Sequence, residues 1–232
     1  MNLLAAHEWS AIMSQVTSES TFAVAVIDGL LVPEAARDLR LQLVDDDGWT
    51  VLDWEPEFQD LADNYLHNAR PRCPSIAPLA AELQSTMAPM LEELEFVSHW
   101  AISCSANLGI RVHADNAAYV VSVWLTPDEH NLEPGRGGLT FFDVRRGPEL
   151  CYPDFVLHDL CVAYIGERTR GQCMQVPYRY NRAVIFDARI MHGSQSIRFA
   201  GADRLSHRLN LSLAFDDPFK LARRIRSDGS TP

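Results

Sequence analysis

The sequence contains no apolar run approaching the ~18 residues that a membrane-spanning helix needs, and no internal repeat is visible in it. Its apolar opening segment, MNLLAAHEWSAIM, has no basic stretch before it of the kind that begins a secretory signal. These absences favour a cytoplasmic protein that neither spans a membrane nor is exported.

Paired cysteines and an excess of basic charge are also missing. The 31 acidic and 20 basic residues give a net charge of −11, which disfavours a phosphate-coated partner such as nucleic acid. An odd number of cysteines without a CxxC pair is typical neither of a disulfide framework nor of a zinc ribbon: Cys73, Cys104, Cys151, Cys161 and Cys173. We therefore expect reduced thiols, a small-molecule substrate and no nucleic-acid partner.

The apolar content is high enough, at 47% of 232 residues, to fill the core of one domain without disulfides. The early sequence predicts a strand over FAVAVID, a turn containing Pro33, and a helix over VPEAARDLRLQLVDD. A second helix is predicted over SIAPLAAELQSTMAPMLEEL, where apolar residues recur every three to four positions: Ile76, Leu79, Leu83, Met87 and Leu91.

From about residue 97 the sequence changes to short β-rich runs separated by turn residues: FVSHWAISCS, YVVSVWLTP, GLTFFDV, VAYIGE, RAVIFDA and RLNLSLAF. Early helices followed by many short strands predict an α+β, mainly β fold. We expect a double-stranded β-helix (jelly roll) over about 97–216, supported by helices within 1–96 and followed by a flexible tail over about 222–232. The whole chain, 1–232, is expected to form a single domain.

Three residues suggest a metal site. Within IRVHADNAAYVV, His113 and Asp115 are two positions apart, so in an extended segment both side chains leave the same face. Far downstream, His192 follows the apolar run RAVIFDARIM, where a strand is expected to give way to a loop. Two imidazoles and one carboxylate form the facial triad that suits non-haem Fe(II). Taken singly, each has a more ordinary interpretation, as a surface pair or a core histidine.

A basic residue able to bind a dicarboxylate opens the last apolar strand, RLNLSLAF. The planar guanidinium of Arg208 suits a carboxylate, and Asn210 is predicted to face the same side and add a hydrogen bond. Arg198 or Arg204, in the preceding loop, are alternative anchors, and a structural salt bridge is the alternative role for Arg208. The position at the start of the strand favours Arg208.

The order of these motifs resembles that of the Fe(II)- and 2-oxoglutarate-dependent oxygenases: HxD, a long interval, a histidine, and then Arg-x-Asn on a terminal apolar strand. The segment VWLTPDEHNLEPGRGGLTFF is similar to the strand, acidic loop and Gly-Gly-Leu turn of prolyl-hydroxylase-like members. The segment FAVAVIDGLLVPEAARDLR is similar to their opening strand and helix, so the resemblance covers about 22–216. In the family a serine usually stands where this chain has Asn210.

The resemblance implies a dioxygenase that uses Fe(II), 2-oxoglutarate and O2 to hydroxylate, or desaturate, an unactivated C–H bond. His113, Asp115 and His192 would be the catalytic metal ligands, and Arg208 and Asn210 would bind 2-oxoglutarate. Family members that halogenate have glycine or alanine at the position of Asp115. The acid in this chain therefore indicates hydroxylation by default. A free amino acid or related metabolite is the expected substrate.

Two other functions fit parts of the pattern. A cupin-like isomerase or thiol oxygenase would use the same metal ligands without needing Arg208, and a metal-free jelly-roll binding module would need none of them. Residues that select the substrate are expected on loops near 56–75 and 143–172. Four aromatic residues are expected in the core: Trp100, Tyr119, Trp124 and Phe186. Four further histidines are interpreted as solvated or structural: His99, His130, His158 and His207.

Overall fold

Antiparallel strands form most of the regular structure in the computed structural model, which describes residues 2–17, 20–51, 65–107, 109, 112–151, 154–201 and 203–220. The strands are β1 (Val24–Asp28), β2 (Thr50–Val51), β3 (Tyr65–Asn68), β4 (Glu95–Cys104), β5 (Ala106–Asn107), β6 (Tyr119–Trp124), β7 (Leu139–Arg145), β8 (Cys173–Val176), β9 (Arg182–Asp187), β10 (Ile190–Ser194), β11 (Ile197–Arg198) and β12 (Arg208–Asp216). The helices are α1 (Trp9–Thr17), α2 (Pro33–Asp45), α3 (Ile76–Thr86), α4 (Ala88–Leu91) and α5 (His158–Arg168), with short 3-10 turns at Asp128–His130 and Asp154–Val156. The predicted tail lies outside the described residues.

The strands form one large sheet and two small ones. The large sheet has the order β1-β9-β6-β12-β4-β3-β2, a second sheet has the order β10-β7-β8, and β11 pairs with β5. All of these pairings are antiparallel. The predicted mainly β composition with a few helices is therefore confirmed. No helix in the described part of the chain combines the length and apolarity needed to cross a membrane.

The middle strand of the large sheet, β12, is buried along its whole length. Its leucines, Leu209, Leu211 and Leu213, belong to the apolar cluster that includes Leu39 of α2 and Leu83 of α3. Burying each such leucine contributes roughly 1.5 to 3 kcal/mol, so this face anchors the helices on the sheet. Because side chains alternate along a strand, Arg208 and its even-numbered neighbours face the other way, toward the space between the two larger sheets.

The predicted second helix is broken into α3 and α4 around Met87. The break has a physical cause in Pro89, which has no N–H to donate and whose ring would clash with the carbonyl one turn earlier. Pro33 lies at the start of α2 and not in the preceding turn, since its fixed φ and missing N–H are compatible with the first helical position.

The prediction of a β run over VAYIGE was wrong, because this segment lies within the helix α5. Its buried residues are Cys161, Tyr164 and Ile165, which share one face at helical spacing and pack with Val144 and Met191 on the second sheet. The valine, tyrosine and isoleucine of the segment favour a strand locally, and burial of this helical face overrides that preference.

The Gly137–Gly138 turn before β7 brings two backbones closer than a side chain allows. Gly137 has a φ of +81°, and a Cβ added at Gly138 would lie 1.8 Å from the carbonyl oxygen of Val176. We expect Gly138→Ala to lower the free energy of unfolding by about 2 to 4 kcal/mol, because β8 would have to move away from β7. Urea denaturation followed by circular dichroism measures this.

Gly166 of α5 provides the control, since a Cβ there would meet no atom within 4 Å. Gly166→Ala should raise the free energy of unfolding by about 0.5 to 1 kcal/mol, because alanine loses less backbone entropy in a helix. Equal stabilities for the two variants would contradict the close approach at Gly138.

Candidate metal centre and carboxylate pocket

His113, Asp115 and His192 come together, with their donor atoms within 4.8 Å of one another. In the part of the chain that the structure describes, this is the one group of three such side chains close enough to hold a metal ion. The carboxylate lies between the imidazoles: its Oδ1 is 3.6 Å from Nε2 of His113, and its Oδ2 is 3.6 Å from Nε2 of His192. The donors therefore converge on one point, as the sequence pattern predicted.

Backbone hydrogen bonds place the three side chains. His113 and His192 exchange both of their N–H···O bonds, each 2.9 Å long, so they lie directly opposite each other and point the same way. The N–H of Asp115 donates to the carbonyl of Ala188 at 2.9 Å. The prediction differs in one detail: His192 lies inside β10 and not beyond a strand.

His192 is held in one tautomer. Its Nδ1 is 3.0 Å from the carbonyl oxygen of Ile190, which can only accept, so Nδ1 carries the proton and Nε2 has a lone pair. Burial, with His113 nearby, lowers the pKa of His192 to about 4, so the ring is neutral at neutral pH. The ring also packs against Phe141 and Phe186, with centroids 5.7 Å and 4.9 Å away. This is the arrangement of a metal-binding histidine fixed by its second nitrogen.

Asp115 is ionised despite its burial. Burial by itself raises the pKa of the carboxyl group, but the interactions with His192 and His113 and the charge of Arg146 outweigh it and hold that pKa below its usual value. An ionised carboxylate beside imidazole nitrogens is a donor set that suits Fe(II), with coordination positions left open.

The pocket around Arg208 is built by strand register. Tyr65 on β3, Cys104 on β4 and Arg208 on β12 lie directly opposite one another, so their side chains share one face of the large sheet. Asn210, two residues along the same face, lies opposite Trp124 of β6. All five are buried, with Arg208 only 1% exposed.

Arg208 is held by neutral acceptors. Its Nε donates to the carbonyl of Gly137 at 2.5 Å, and its Nη1 donates to Oδ1 of Asn210 at 2.7 Å. No carboxylate among the described residues forms a salt bridge with it. Burial lowers the pKa of the guanidinium, opposed by nearby Tyr178 and Tyr65. A buried cation of this kind requires an anion, and Asn210 positions the guanidinium for one.

Two further hydrogen-bond donors line this pocket. The hydroxyl of Tyr65 and the Nε1–H of Trp124 are buried, and neither has a hydrogen-bond partner in the described part of the chain. Tyr178, which stacks on Trp124, instead uses its hydroxyl on the backbone of Thr126. A guanidinium and two donors that lack acceptors fit the two oxygens of a carboxylate. Sequence reasoning missed Tyr65 and assigned Trp124 to the core alone.

The alternative anchors lie elsewhere. Arg198 is exposed and 3.8 Å from the carboxylate of Glu133, and Nη1 of Arg204 is 3.3 Å from the carbonyl oxygen of Asp46.

His158, interpreted from sequence as solvated or structural, supports the segment that carries His113, because its Nδ1 accepts from the N–H of Val112 at 3.2 Å. That contact fixes the residue immediately before His113.

Comparison with known proteins gives a fold-level match. No protein-family model matches the sequence, and no curated protein matches it. A Trichoplax adhaerens prolyl hydroxylase, solved with a peptide of a hypoxia-inducible factor, is 12% identical and has a TM-score of 0.61 over 96% of this chain and 93% of its own. A Burkholderia pseudomallei oxidoreductase of the 2OG-Fe(II) oxygenase family is 8% identical, with a TM-score of 0.58 over 92% of each chain. The chain has the fold of the 2-oxoglutarate/Fe(II) oxygenases.

Streptomyces hygroscopicus HygX, solved with nickel, 2-oxoglutarate and hygromycin B, is 13% identical, with a TM-score of 0.55 over 93% of this chain and 88% of its own.

The metal cluster and the Arg208 pocket share one apolar lining. Phe141 and Phe186, which contact His192, belong to the same buried cluster as Tyr65 and Trp124. The metal cluster and the Arg208 pocket therefore both face the space between the two larger sheets.

Proposed function

We propose that the protein is an Fe(II)- and 2-oxoglutarate-dependent oxygenase that hydroxylates, or desaturates, an unactivated C–H bond of a small molecule such as an amino acid or related metabolite. The observation that carries the proposal is Arg208, which is buried without a carboxylate partner among the described residues and faces the same interior as the metal cluster. A cupin-like isomerase or thiol oxygenase has no use for this cation, and a binding module has no use for the cluster. The proposal includes a double-stranded β-helix core and a single domain over 1–232.

His113, Asp115 and His192 would hold Fe(II) through two imidazole nitrogens and one carboxylate oxygen. The bound iron, with 2-oxoglutarate and O2, supplies the oxidising power that breaks the C–H bond. The chain itself contributes orientation: the bond from His192 to Ile190 fixes the ligand ring, and Phe141 and Phe186 keep water from its sides. The acid at position 115 supports hydroxylation or desaturation and not halogenation.

The distal carboxylate of 2-oxoglutarate would lie against Arg208, Tyr65 and Trp124. Asn210 and the carbonyl of Gly137 take two of the guanidinium N–H groups and so set its plane. A co-substrate carboxylate would neutralise the buried cation and satisfy the two orphaned donors.

Succinate release tests the proposed function. The protein is incubated aerobically with Fe(II), ascorbate and 2-oxoglutarate over a panel of amino acids and related metabolites, and succinate is quantified by mass spectrometry. We expect a low basal release that at least one panel member raises, with a product heavier by 16 Da or lighter by 2 Da. No 2-oxoglutarate binding and no succinate with any metal would contradict the proposal.

Tyr65→Phe should affect stability and co-substrate binding in opposite directions. Without 2-oxoglutarate, removing a buried hydroxyl that has no hydrogen-bond partner among the described residues should leave the free energy of unfolding unchanged or raise it by up to ~1 kcal/mol. With Mn(II) present, the Kd of 2-oxoglutarate should rise by about ten- to 100-fold, as one hydrogen bond to a charged carboxylate is lost. Urea denaturation and calorimetric titration measure the two effects.

Tyr178→Phe is the matched control for this variant. Its hydroxyl is bonded to Thr126, so its removal should lower the free energy of unfolding by about 1 to 3 kcal/mol and change 2-oxoglutarate binding less. If Tyr65→Phe were as destabilising as Tyr178→Phe and kept full 2-oxoglutarate affinity, the Tyr65 hydroxyl would be structural.

A further inference from the structure

A second cavity, of about 530 Å³, lies beside the metal-binding turn, and its walls share no residue with the Arg208 pocket. Its walls include Ala117 and Ala118, which follow Asp115 by two and three residues, and the loop after β7. A volume of this size is within the range of small-molecule sites. The cavity is partly open to solvent and is lined by residues from five separate segments of the chain.

Backbone hydrogen bonds join the cavity walls to the turn that carries Asp115. The N–H of Ala114 donates to the carbonyl of Phe155 at 2.9 Å, and that of Ala118 donates to the carbonyl of Phe215 at 3.0 Å. Ala188, which accepts from Asp115, lies between two residues of the cavity wall, Asp187 and Arg189. A ligand in the cavity would therefore rest against the same backbone that holds the metal ligand.

Cationic side chains reach the cavity from three segments: Arg146 after β7, Arg189 between β9 and β10, and Lys220 after β12. Arg146 is only 8% exposed, and its guanidinium lies 4.3 Å above the ring of Phe155. Against the two carboxylates of the wall, Asp187 and Asp216, the three cations leave a formal charge of +1, opposite in sign to the net charge of −11 of the chain.

Both carboxylates in the cavity wall have partners within the protein, and so do two of the cations: Arg189 pairs with Asp187, and Nζ of Lys220 lies 3.6 Å from Oδ2 of Asp217. Asp187 accepts from Nη2 and Nε of Arg189 at 2.7 Å and 3.0 Å and lies 3.4 Å from Nε of Arg145. Asp216 is 2% exposed, and its Oδ1 accepts from the N–H of Asp217 at 2.8 Å. Apart from Tyr119 and Cys151, the rest of the lining is apolar and includes Leu150 and Phe155.

We propose that this cavity binds a small organic anion, with its carboxylate or phosphate group on the Arg146, Arg189 and Lys220 side chains and its apolar body against Leu150 and Phe155. Delocalised guanidinium groups suit such oxyanions, and a flat apolar body matches the Phe155 wall. This site is separate from the Arg208 pocket and does not depend on the oxidation chemistry proposed above.

Binding of 2-naphthoate and of its neutral counterpart 2-naphthamide to the full-length protein tests the site, by calorimetric titration without metal. The wild type should bind the carboxylate at least about fivefold more tightly than the amide, since only the carboxylate forms charge-assisted contacts. The double variant Arg189→Gln/Lys220→Gln should remove most of that preference. Both side chains are more than half exposed, so the variant should fold.

The matched control is Arg136→Gln/Arg170→Gln, which changes the net charge equally at two exposed positions outside the cavity wall. It should retain the wild-type preference for 2-naphthoate, and so should Arg208→Ala. Equal affinity for acid and amide would overturn the proposal. So would loss of 2-naphthoate binding in Arg208→Ala with retention in the cavity variant, which would place the ligand in the other pocket.

A panel of natural carboxylates and phosphates identifies the source of the anion. A compound that needs Arg189 and Lys220 for binding and also raises succinate release would be the substrate, held by its anionic end. A compound that needs the same two residues but leaves succinate release unchanged would be a separate ligand. Failure of succinate release with every compound would contradict the oxygenase function and leave the 2-naphthoate result standing.

Discussion

Arg208→Ala is expected to raise the Kd of 2-oxoglutarate at least tenfold while changing Mn(II) affinity far less. A charge-assisted bidentate contact in a desolvated pocket is worth roughly 2 to 5 kcal/mol when one partner is truncated. Arg208 is 1% exposed and the three metal ligands do not contact it through any hydrogen bond in the described residues, so the loss should be selective. Anaerobic calorimetric titration with Mn(II) measures both constants.

Three further substitutions define what Arg208 provides. Arg208→Lys keeps the charge but loses the planar fork, so its Kd for 2-oxoglutarate should fall between wild type and alanine. Arg198→Ala and Arg204→Ala should bind 2-oxoglutarate like the wild type, because both side chains are engaged with other residues. If either loop variant lost 2-oxoglutarate binding and Arg208→Ala kept it, the anchor would be misassigned.

His113→Ala, Asp115→Ala and His192→Ala are each expected to weaken Mn(II) or Fe(II) binding by at least about 100-fold and to abolish turnover. Loss of an outer-shell partner alone costs about 10- to 100-fold in metal affinity, so loss of a ligand should cost no less. Because a ligand that binds only the folded state stabilises it, Mn(II) should raise the Tm of the wild type and leave those of the three variants unchanged.

His130→Ala is the control for these variants, since it removes an imidazole that lies outside the metal cluster. Its metal affinity should equal that of the wild type, and circular dichroism should find all four variants folded. A variant of His113, Asp115 or His192 that bound Mn(II) at wild-type strength would take that residue out of the ligand set.

The position of Arg208 could be predicted from sequence because the residue pattern of β12 by itself indicates a strand. Its first six residues, RLNLSL, alternate polar residues with leucine at a period of two, which identifies both the strand and its two faces. The even-numbered members face the interior between the sheets, and the leucines pack on the helices. The metal residues could be predicted from residue type and order alone.

Tyr65 and Trp124 could not have been found in this way, because their role depends on pairing between distant segments. Tyr65 reaches Arg208 only because β3 pairs with β4 and β4 with β12, in a register that no local pattern encodes. The strand that carries Tyr65 has four residues, too few to give a periodic signal. Part of the expected substrate loop at 56–75 lies outside the described residues, and the region at 143–172 contains a strand end and the helix α5.

The buried guanidinium of Arg208 also bears on how long the protein survives in a cell. A core cation without a carboxylate partner in the described structure penalises the folded state whenever the pocket holds no anion. With 2-oxoglutarate bound as proposed, folding gains about 2.7 kcal/mol at a concentration 100 times the Kd. Unfolded molecules are removed by proteases, so the amount of this protein would rise and fall with the supply of its co-substrate. Degradation rate would thus act as a readout of central carbon metabolism.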